Sequence, residues 1–139
     1  MGQFTSIDTH EEYIDYIAKV YSVQQAAAVK SALRLLKDAN PKLEEYVSDN
    51  PHTDTMCYFR GEDDNFIGIA ASKDTIAVYM HDELLKPFEP TLTDMGYEFG
   101  YASWSRGYVL IPTIPYKPLP EKLLTDMANH ALGESSSAG

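Results

Sequence analysis

The stretch from Gly107 to Leu132 constrains the fold more than any other. It begins with an apolar run, Gly107-Tyr-Val-Leu-Ile111, which predicts a strand. Prolines at 112, 115, 118 and 120 form a rigid connection, because each proline ring fixes its own φ angle. An amphipathic helix is predicted from about Pro120 to Leu132, ended by Gly133. A strand, a rigid link and a one-sided helix predict a compact α+β domain. The helix residues expected to face its core are Leu123, Leu124, Met127 and Ala131.

Two helices are predicted near the N-terminus. The first runs from about Thr9 to Tyr21, with one apolar face at helical spacing. The second begins at a capping box, in which Ser22 caps the helix and Gln25 reaches back, and it continues to about Ala39. Asn40-Pro41 ends it and can start a short third helix. The apolar face of the first helix comprises Tyr13, Ile14, Ile17, Val20 and Tyr21, and that of the second comprises Val29, Ala32, Leu33 and Leu36.

The middle of the chain predicts short strands joined by turns. Strands are expected at residues 55–60, 66–71 and 75–80, which form an antiparallel meander, and the fourth is the run from Gly107 to Ile111. Short helices are expected at 82–86 and 90–95, and the alternating aromatics of 97–101 favour an extended segment. The sequence therefore predicts a two-layer α+β domain over 1–132, with about four antiparallel strands covered by helices on one face. The last residues, 133–139, predict a disordered tail.

Charge and cysteine content exclude several classes of function. The formal net charge is −10 with only 11 Lys and Arg, which argues against binding to nucleic acids or anionic membranes. Cys57 is the single cysteine, so no intramolecular disulfide can form. We expect no signal peptide, and no run reaches the ~18 apolar residues of a membrane span. A cytoplasmic protein is the expectation.

Two segments resemble the YdhG-like family of small domains of unknown function. They are Ile67-Gly-Ile-Ala-Ala-Ser-Lys-Asp-Thr-Ile-Ala-Val-Tyr79 and Arg106-Gly-Tyr-Val-Leu-Ile-Pro112 with Lys117-Pro-Leu-Pro-Glu-Lys-Leu-Leu124. The chain departs from the family at Ser48-Asp-Asn-Pro51, where a Gly-Met-Pro type of turn is usual. The resemblance implies a frataxin-like α+β arrangement. It also implies an iron-chaperone role as one possibility, since some members are described so and most have no assigned activity.

Acidic residues of the first helix are the candidate metal site. Carboxylate oxygens suit hard cations, so this ridge is predicted to hold iron or another divalent ion weakly. The alternative is an ordinary solvated helix face, which Lys19 partly neutralises. The candidate ligands are Asp8, Glu11, Glu12 and Asp15.

An aromatic segment is the candidate ligand pocket. Ligand sites are mostly apolar with a few polar groups, and here Arg106 would be the polar anchor. The alternative is that these rings only cover the sheet. The candidate residues are Tyr97, Phe99, Tyr101, Trp104 and Arg106, with Tyr108 beside them.

Catalytic chemistry is not indicated. Cys57 lies in a predicted strand without a motif that pairs it with a histidine, and His52-Thr-Asp-Thr-Met-Cys57 lacks the second half of a zinc site. The sequence therefore predicts a non-enzymatic binding domain. Its candidate forms are an iron chaperone, a small-molecule pocket or a protein-interaction module, with the oligomeric state left open.

Overall fold

The chain alternates between groups of helices and groups of strands. The computed structural model describes residues 9–39, 44–48, 56–60, 65–102, 106–113 and 119–131. Helices α1 (His10–Val20) and α2 (Val23–Ala39) precede strands β1 (Glu44–Ser48), β2 (Met56–Arg60), β3 (Phe66–Ala71) and β4 (Thr75–His81). Short helix α3 (Asp82–Leu85), a 3-10 turn (Lys86–Phe88) and α4 (Glu89–Met95) follow. Strands β5 (Glu98–Ala102) and β6 (Arg106–Pro112) then lead to α5 (Glu121–Ala131). This order confirms the α+β class.

Within the described residues, the sheet has six antiparallel strands in the order β1-β2-β3-β4-β6-β5, two more than predicted. Both additional strands are edges. The extended segment at 97–101 is confirmed as β5. The short helix predicted after Pro41 is wrong over Glu44–Ser48, where β1 pairs with β2 along its whole length. Pairing with a neighbouring strand, rather than local propensity, decides the structure of this segment.

Strand register gives the sheet one apolar face. Successive residues of a strand point to opposite faces, so aligned partners in neighbouring strands share a face. One buried row consists of Cys57, Ile69, Val78 and Val109, and the next contains Phe59, Ile67 and Met80. The described helices pack on this face. His10 of α1 contacts Phe59, Leu85 of α3 lies against Gly107, and other helix residues join the same hydrophobic core. Helix residues of that core include Tyr13, Ile17, Val29, Ala32, Leu33, Leu36, Leu123, Leu124, Met127 and Ala128.

The predicted apolar faces of the helices are confirmed except at the end of α1. The stripes of α2 and α5 are buried as expected, although the side chain of Ala131 lies outside the described residues. On α1, the prediction that Val20 and Tyr21 face the core is wrong, because these side chains are 48% and 42% exposed. The buried face ends at Ile17, since Tyr21 and Ser22 both donate to its carbonyl as the chain turns into α2.

Only one of the two hydrogen bonds of the predicted capping box forms at the start of α2. The backbone N–H of Gln25 donates to Ser22 Oγ at 2.9 Å, as predicted. The Gln25 side chain does not reach back. It is fully buried, and its Nε2 donates to the carbonyls of Ser72 at 2.8 Å and Thr75 at 3.1 Å. Its Oε1 accepts from the hydroxyl of Thr113. Gln25 therefore joins α2 to the β3–β4 turn and to the end of β6.

Two side chains of α1 also form hydrogen bonds with the backbone of the sheet. The Tyr13 hydroxyl accepts from the backbone N–H of Ala71 at 2.9 Å. His10 Nε2 lies 3.0 Å from the carbonyl oxygen of Tyr46 and 3.3 Å from that of Tyr58. Because a carbonyl oxygen only accepts, this nitrogen carries the proton. The sheet is thus held by directional bonds as well as by apolar packing.

Replacing Gln25 tests how much this junction stabilises the fold. Gln25→Leu keeps the volume but leaves the carbonyls of Ser72 and Thr75 without this donor. We expect it to lower the free energy of unfolding by about 1–3 kcal/mol, the typical cost of unsatisfied buried polar groups. Urea unfolding measures the loss, and Gln24→Leu, the same change at the exposed neighbour, is the control. Equal effects of the two changes would contradict a role for the Gln25 side chain.

Candidate functional site

The predicted acidic ridge lies on the exposed side of α1. Glu11, Glu12 and Asp15 are all exposed, and Asp8 lies outside the described residues. Glu12 also contributes its backbone N–H to Thr9 Oγ1 at the helix start. Across the described ranges, no three His, Cys, Asp or Glu side chains are grouped so that they could hold a metal ion. The metal role of this ridge stays a prediction.

Residues of the predicted aromatic pocket lie on opposite faces of the sheet. Phe99 and Tyr101 pair with Val109 and Gly107, which places both on the helix-covered face. Arg106 pairs with Ala102 and lies on the opposite face. Tyr97 is half-buried against the core, and Trp104 lies outside the described residues. The structure therefore brings Phe99 and Tyr101 to one face and keeps the proposed anchor Arg106 away from them.

A shallow acidic cleft lies between α4 and β5. Its volume is about 430 Å³, and it is lined by Glu89, Pro90, Thr93, Asp94 and Phe99. At its side, the Tyr101 hydroxyl donates to Glu89. Partial burial, the bond to Glu89 and the charges of Glu89 and Asp82 raise the pKa of Tyr101 to about 12. This cleft favours cations over anions, and the guanidinium of Arg106 is on the other side of the sheet.

Tyrosines form a row across the face of the sheet that the described helices leave open. In register order from β1 to β5, this tyrosine row is Tyr46, Tyr58, Gly68, Tyr79, Tyr108 and Gly100. The rings of Tyr46 and Tyr58 stack with their centroids 5.5 Å apart, and those of Tyr79 and Tyr108 contact at 6.5 Å. Tyr46 is 36% exposed and the other three rings are half-buried. The row is a shallow aromatic surface with a side-chain-free position at Gly68.

A second row on the same face carries positive charge. This arginine row is Glu44, Arg60, Phe66, His81, Arg106 and Ala102, with Phe66 and His81 in ring contact at 5.1 Å. The guanidinium carbon of Arg60 lies 5.5 Å from the ring centroid of Tyr46, and that of Arg106 lies 5.6 Å from Tyr79. Such stacking orients each guanidinium over the face of a ring.

Glu44 and Tyr46 lie at the β1 edge of these two rows. The Tyr46 hydroxyl donates to Glu44 Oε1 at 2.8 Å, and this bond raises the pKa of Tyr46. Arg60 is the register partner of Glu44 and lowers the same pKa in part. The edge thus carries one carboxylate beside one guanidinium. Together the tyrosine row and the arginine row form the open face, which is the candidate functional site.

Most residues of the open face were not predicted as a site, although the sequence carries a signal for them. Tyr79 and His81 are two residues apart in one predicted strand, and Arg106 and Tyr108 are two apart in another. Period-two spacing of this kind places each pair on one face of its strand. Of the open face, only Arg106 and Tyr108 were among the predicted candidates.

Searches against protein-family models, curated proteins and solved structures return no match. The resemblance to the YdhG-like family therefore stays a prediction. In the portion of the chain that the structure describes, no helix is both long enough and apolar enough to cross a membrane.

Gly100 provides a test of the aromatic surface at its β5 end. A Cβ atom added at Gly100 would lie 2.8 Å from Tyr108 Cζ, closer than real Cβ contacts, so the ring must move. We expect Gly100→Ala to cost about 1 kcal/mol and to shift the NMR ring signals of Tyr108 and its neighbour Tyr79. Glu98→Ala, on the same face of β5, is the control. Unchanged ring signals in Gly100→Ala would contradict this arrangement.

Cys57 provides a test of whether a reactive thiol exists in the folded protein. Its side chain is fully buried, and burial raises the pKa of the thiol well above its usual range, with a contribution from Glu45. Thiolate is the reactive form, so we expect native protein to resist alkylation and urea-unfolded protein to react at once. Mass spectrometry measures the labelled fraction. Rapid labelling of native protein would contradict the burial of the Cys57 thiol.

Proposed function

We propose that this protein is a non-enzymatic protein-interaction module of the cytoplasm, and that the open face is its docking surface. The observation that carries this proposal is the tyrosine row, which crosses the sheet beside two ring-stacked arginines. A chain without an intramolecular disulfide also suits a reducing compartment.

The composition of the open face supports a protein partner. Tyr, Phe and Arg are enriched at the centres of protein interfaces, and Tyr and Arg are frequent among the residues that dominate binding energy. Rings of this kind add contact area while losing little conformational freedom. Their placement on paired strands also fixes their positions before binding, which reduces the ordering cost of association.

The shape of the open face favours a protein over a small molecule. Small-molecule sites are concave and surround most of their ligand. Here the aromatic groups lie in rows on a sheet, and the cleft beside α4 is on the other face. Two neighbouring rows of rings and guanidiniums on a sheet are a surface of the kind that protein partners contact.

Site-specific crosslinking in the native host tests the proposal. A photoreactive phenylalanine analogue at Tyr46 reports the open face, and the same analogue at Tyr16 is the matched control, because Tyr16 is an exposed tyrosine on α1. We expect a discrete protein adduct from position 46. Excess unmodified wild-type protein should compete it away, whereas the Tyr58→Ser, Tyr79→Ser double variant, checked for folding by circular dichroism, should not.

Two results would overturn the proposal. One is a competed adduct from position 16 with none from position 46, which would move the docking surface to the helices. The other is competition by the double variant as strong as that by wild type, since the aromatic rings would then contribute nothing to binding.

A further inference from the structure

Strand β5 is an edge of the sheet that lacks the usual protections against pairing. Among the described strands it has β6 on one side and no strand on the other. Natural proteins protect such edges with lysine, proline or a bulge. The sequence of β5, Glu98-Phe-Gly-Tyr-Ala102, contains neither lysine nor proline, and its five residues align one to one with β6 without a bulge. The outer side of β5 is therefore suited to pair with another strand.

The residue order of β5 complements itself when two copies run antiparallel. With Gly100 opposite Gly100 of the second copy, Phe99 faces Tyr101 and Glu98 faces Ala102. Facing residues are then both even-numbered or both odd-numbered, so backbone donors meet acceptors whichever set points outward. Independently of the proposed function of the open face, we infer that this protein forms a two-fold dimer by pairing β5 with β5 of a second copy.

The side chains that meet across this pairing on the helix-covered face are aromatic. Phe99 and Tyr101 both lie on that face, and Tyr101 is 41% exposed. Directly opposed residues of antiparallel strands have Cβ atoms about 5 Å apart, and aromatic pairs at this distance stabilise a sheet. The dimer contains two such pairs. Since Phe99 also lines the cleft beside α4, Tyr101 of the second copy adds a wall to that cleft.

On the open face, Gly100 leaves room for the ring of Tyr108 at the edge. A Cβ atom added at Gly100 would lie 2.8 Å from Tyr108 Cζ, so the ring extends over β5. Two copies paired at Gly100 bring their Tyr108 rings towards each other across the two glycines. The tyrosine row then continues from one copy into the other, and the dimer doubles the length of this aromatic surface.

The other edge of the sheet is less suited to such pairing. β1 carries two adjacent carboxylates, Glu44 and Glu45, and the carbonyl of Tyr46 already accepts from His10 Nε2. The single charge of β5 is Glu98, and four residue steps of ~3.3 Å separate it from Glu98 of the second copy along the strands. That separation of roughly 13 Å exceeds the Debye length of ~8 Å at physiological salt, so these two carboxylates repel little.

The charge of the whole chain opposes association. Each copy has a net charge of −10 and brings Glu89 and Asp94 of the acidic cleft close to β5. Salt screens this repulsion. We therefore expect a small interface and a weak dimer, with a dissociation constant of about 100 µM, that tightens as NaCl is raised from about 20 to about 300 mM.

Charge substitutions at Ala102 test the pairing and its register in the full chain. Ala102 faces Glu98 of the second copy, so Ala102→Glu should weaken the dimer and Ala102→Lys should strengthen it, each by about fivefold through two pairs. Glu98→Lys combined with Ala102→Glu should dimerise at least as tightly as wild type. Gln24→Glu and Gln24→Lys, the same charge changes on the exposed side of α2, are the controls. Sedimentation equilibrium measures each dissociation constant, and circular dichroism checks that each variant is folded.

Three results would count against the dimer. Sedimentation as a monomer up to about 1 mM excludes it and leaves the β5 edge to a different chain. Equal effects of the substitutions at 102 and 24 also exclude it, since the copies would then meet through another surface. The third is the absence of NOEs between the rings of Phe99 and Tyr101 from different copies, in an isotope-filtered experiment on mixed labelled and unlabelled protein. Crosslinking at position 46 decides the docking role of the open face separately.

Discussion

The pairing of β4 with β6 is the contact on which both faces of the sheet depend. Seven aligned residue pairs, from Thr75 with Pro112 to His81 with Arg106, fix the register between these two strands. The same register puts Val78 beside Val109 in the core and Tyr79 beside Tyr108 on the open face. A slip by one residue would exchange the faces, exposing the valines and burying the tyrosines. One set of backbone hydrogen bonds therefore determines the core and the candidate binding surface together.

Hydrogen bonds from helix side chains fix this sheet on its helix-covered face. Gln25 joins the β3–β4 turn to the end of β6, Tyr13 holds the end of β3, and His10 holds β1 and β2. Each bond crosses from the helix layer to strand backbone or to a residue at a strand end. A recognition surface made of side chains on strands keeps its geometry only if the strands cannot shift. These bonds are the physical basis for treating the open face as rigid.

Local patterns predicted most elements, and long-range pairing accounts for the errors. Strand β3 was predicted with its observed limits, because turn residues bound an apolar run on both sides. Strand β1 was missed, since Asn40-Pro41 is a strong local signal for a helix start and only the pairing with β2 opposes it. The capping box predicted the backbone bond of Gln25 correctly. Its side-chain partners are 47 to 88 residues away, where no local rule applies.

The candidate site was harder to predict than the fold for the same reason. Alternation of Tyr97, Phe99 and Tyr101 correctly indicated an extended segment, but it cannot tell which face of the sheet the rings occupy. That depends on pairing with β6, which puts Phe99 and Tyr101 on the helix side. Likewise, Tyr79 and Tyr108 become neighbours only because β6 inserts beside β4. The order of strands in space is the information that residue spacing does not contain.

That order of strands also has a consequence for synthesis of the chain. β5 leaves the ribosome before β6, yet β6 is the strand that pairs with β4, and β5 is only the edge. Until residues 106–112 are available, β4 presents an unpaired backbone edge beside the apolar side chains of Ile76 and Val78. Edges of this kind recruit other chains. A nascent chain that stalls before Arg106 therefore keeps this edge exposed, and translation of residues 106–112 is what allows β4 to be covered.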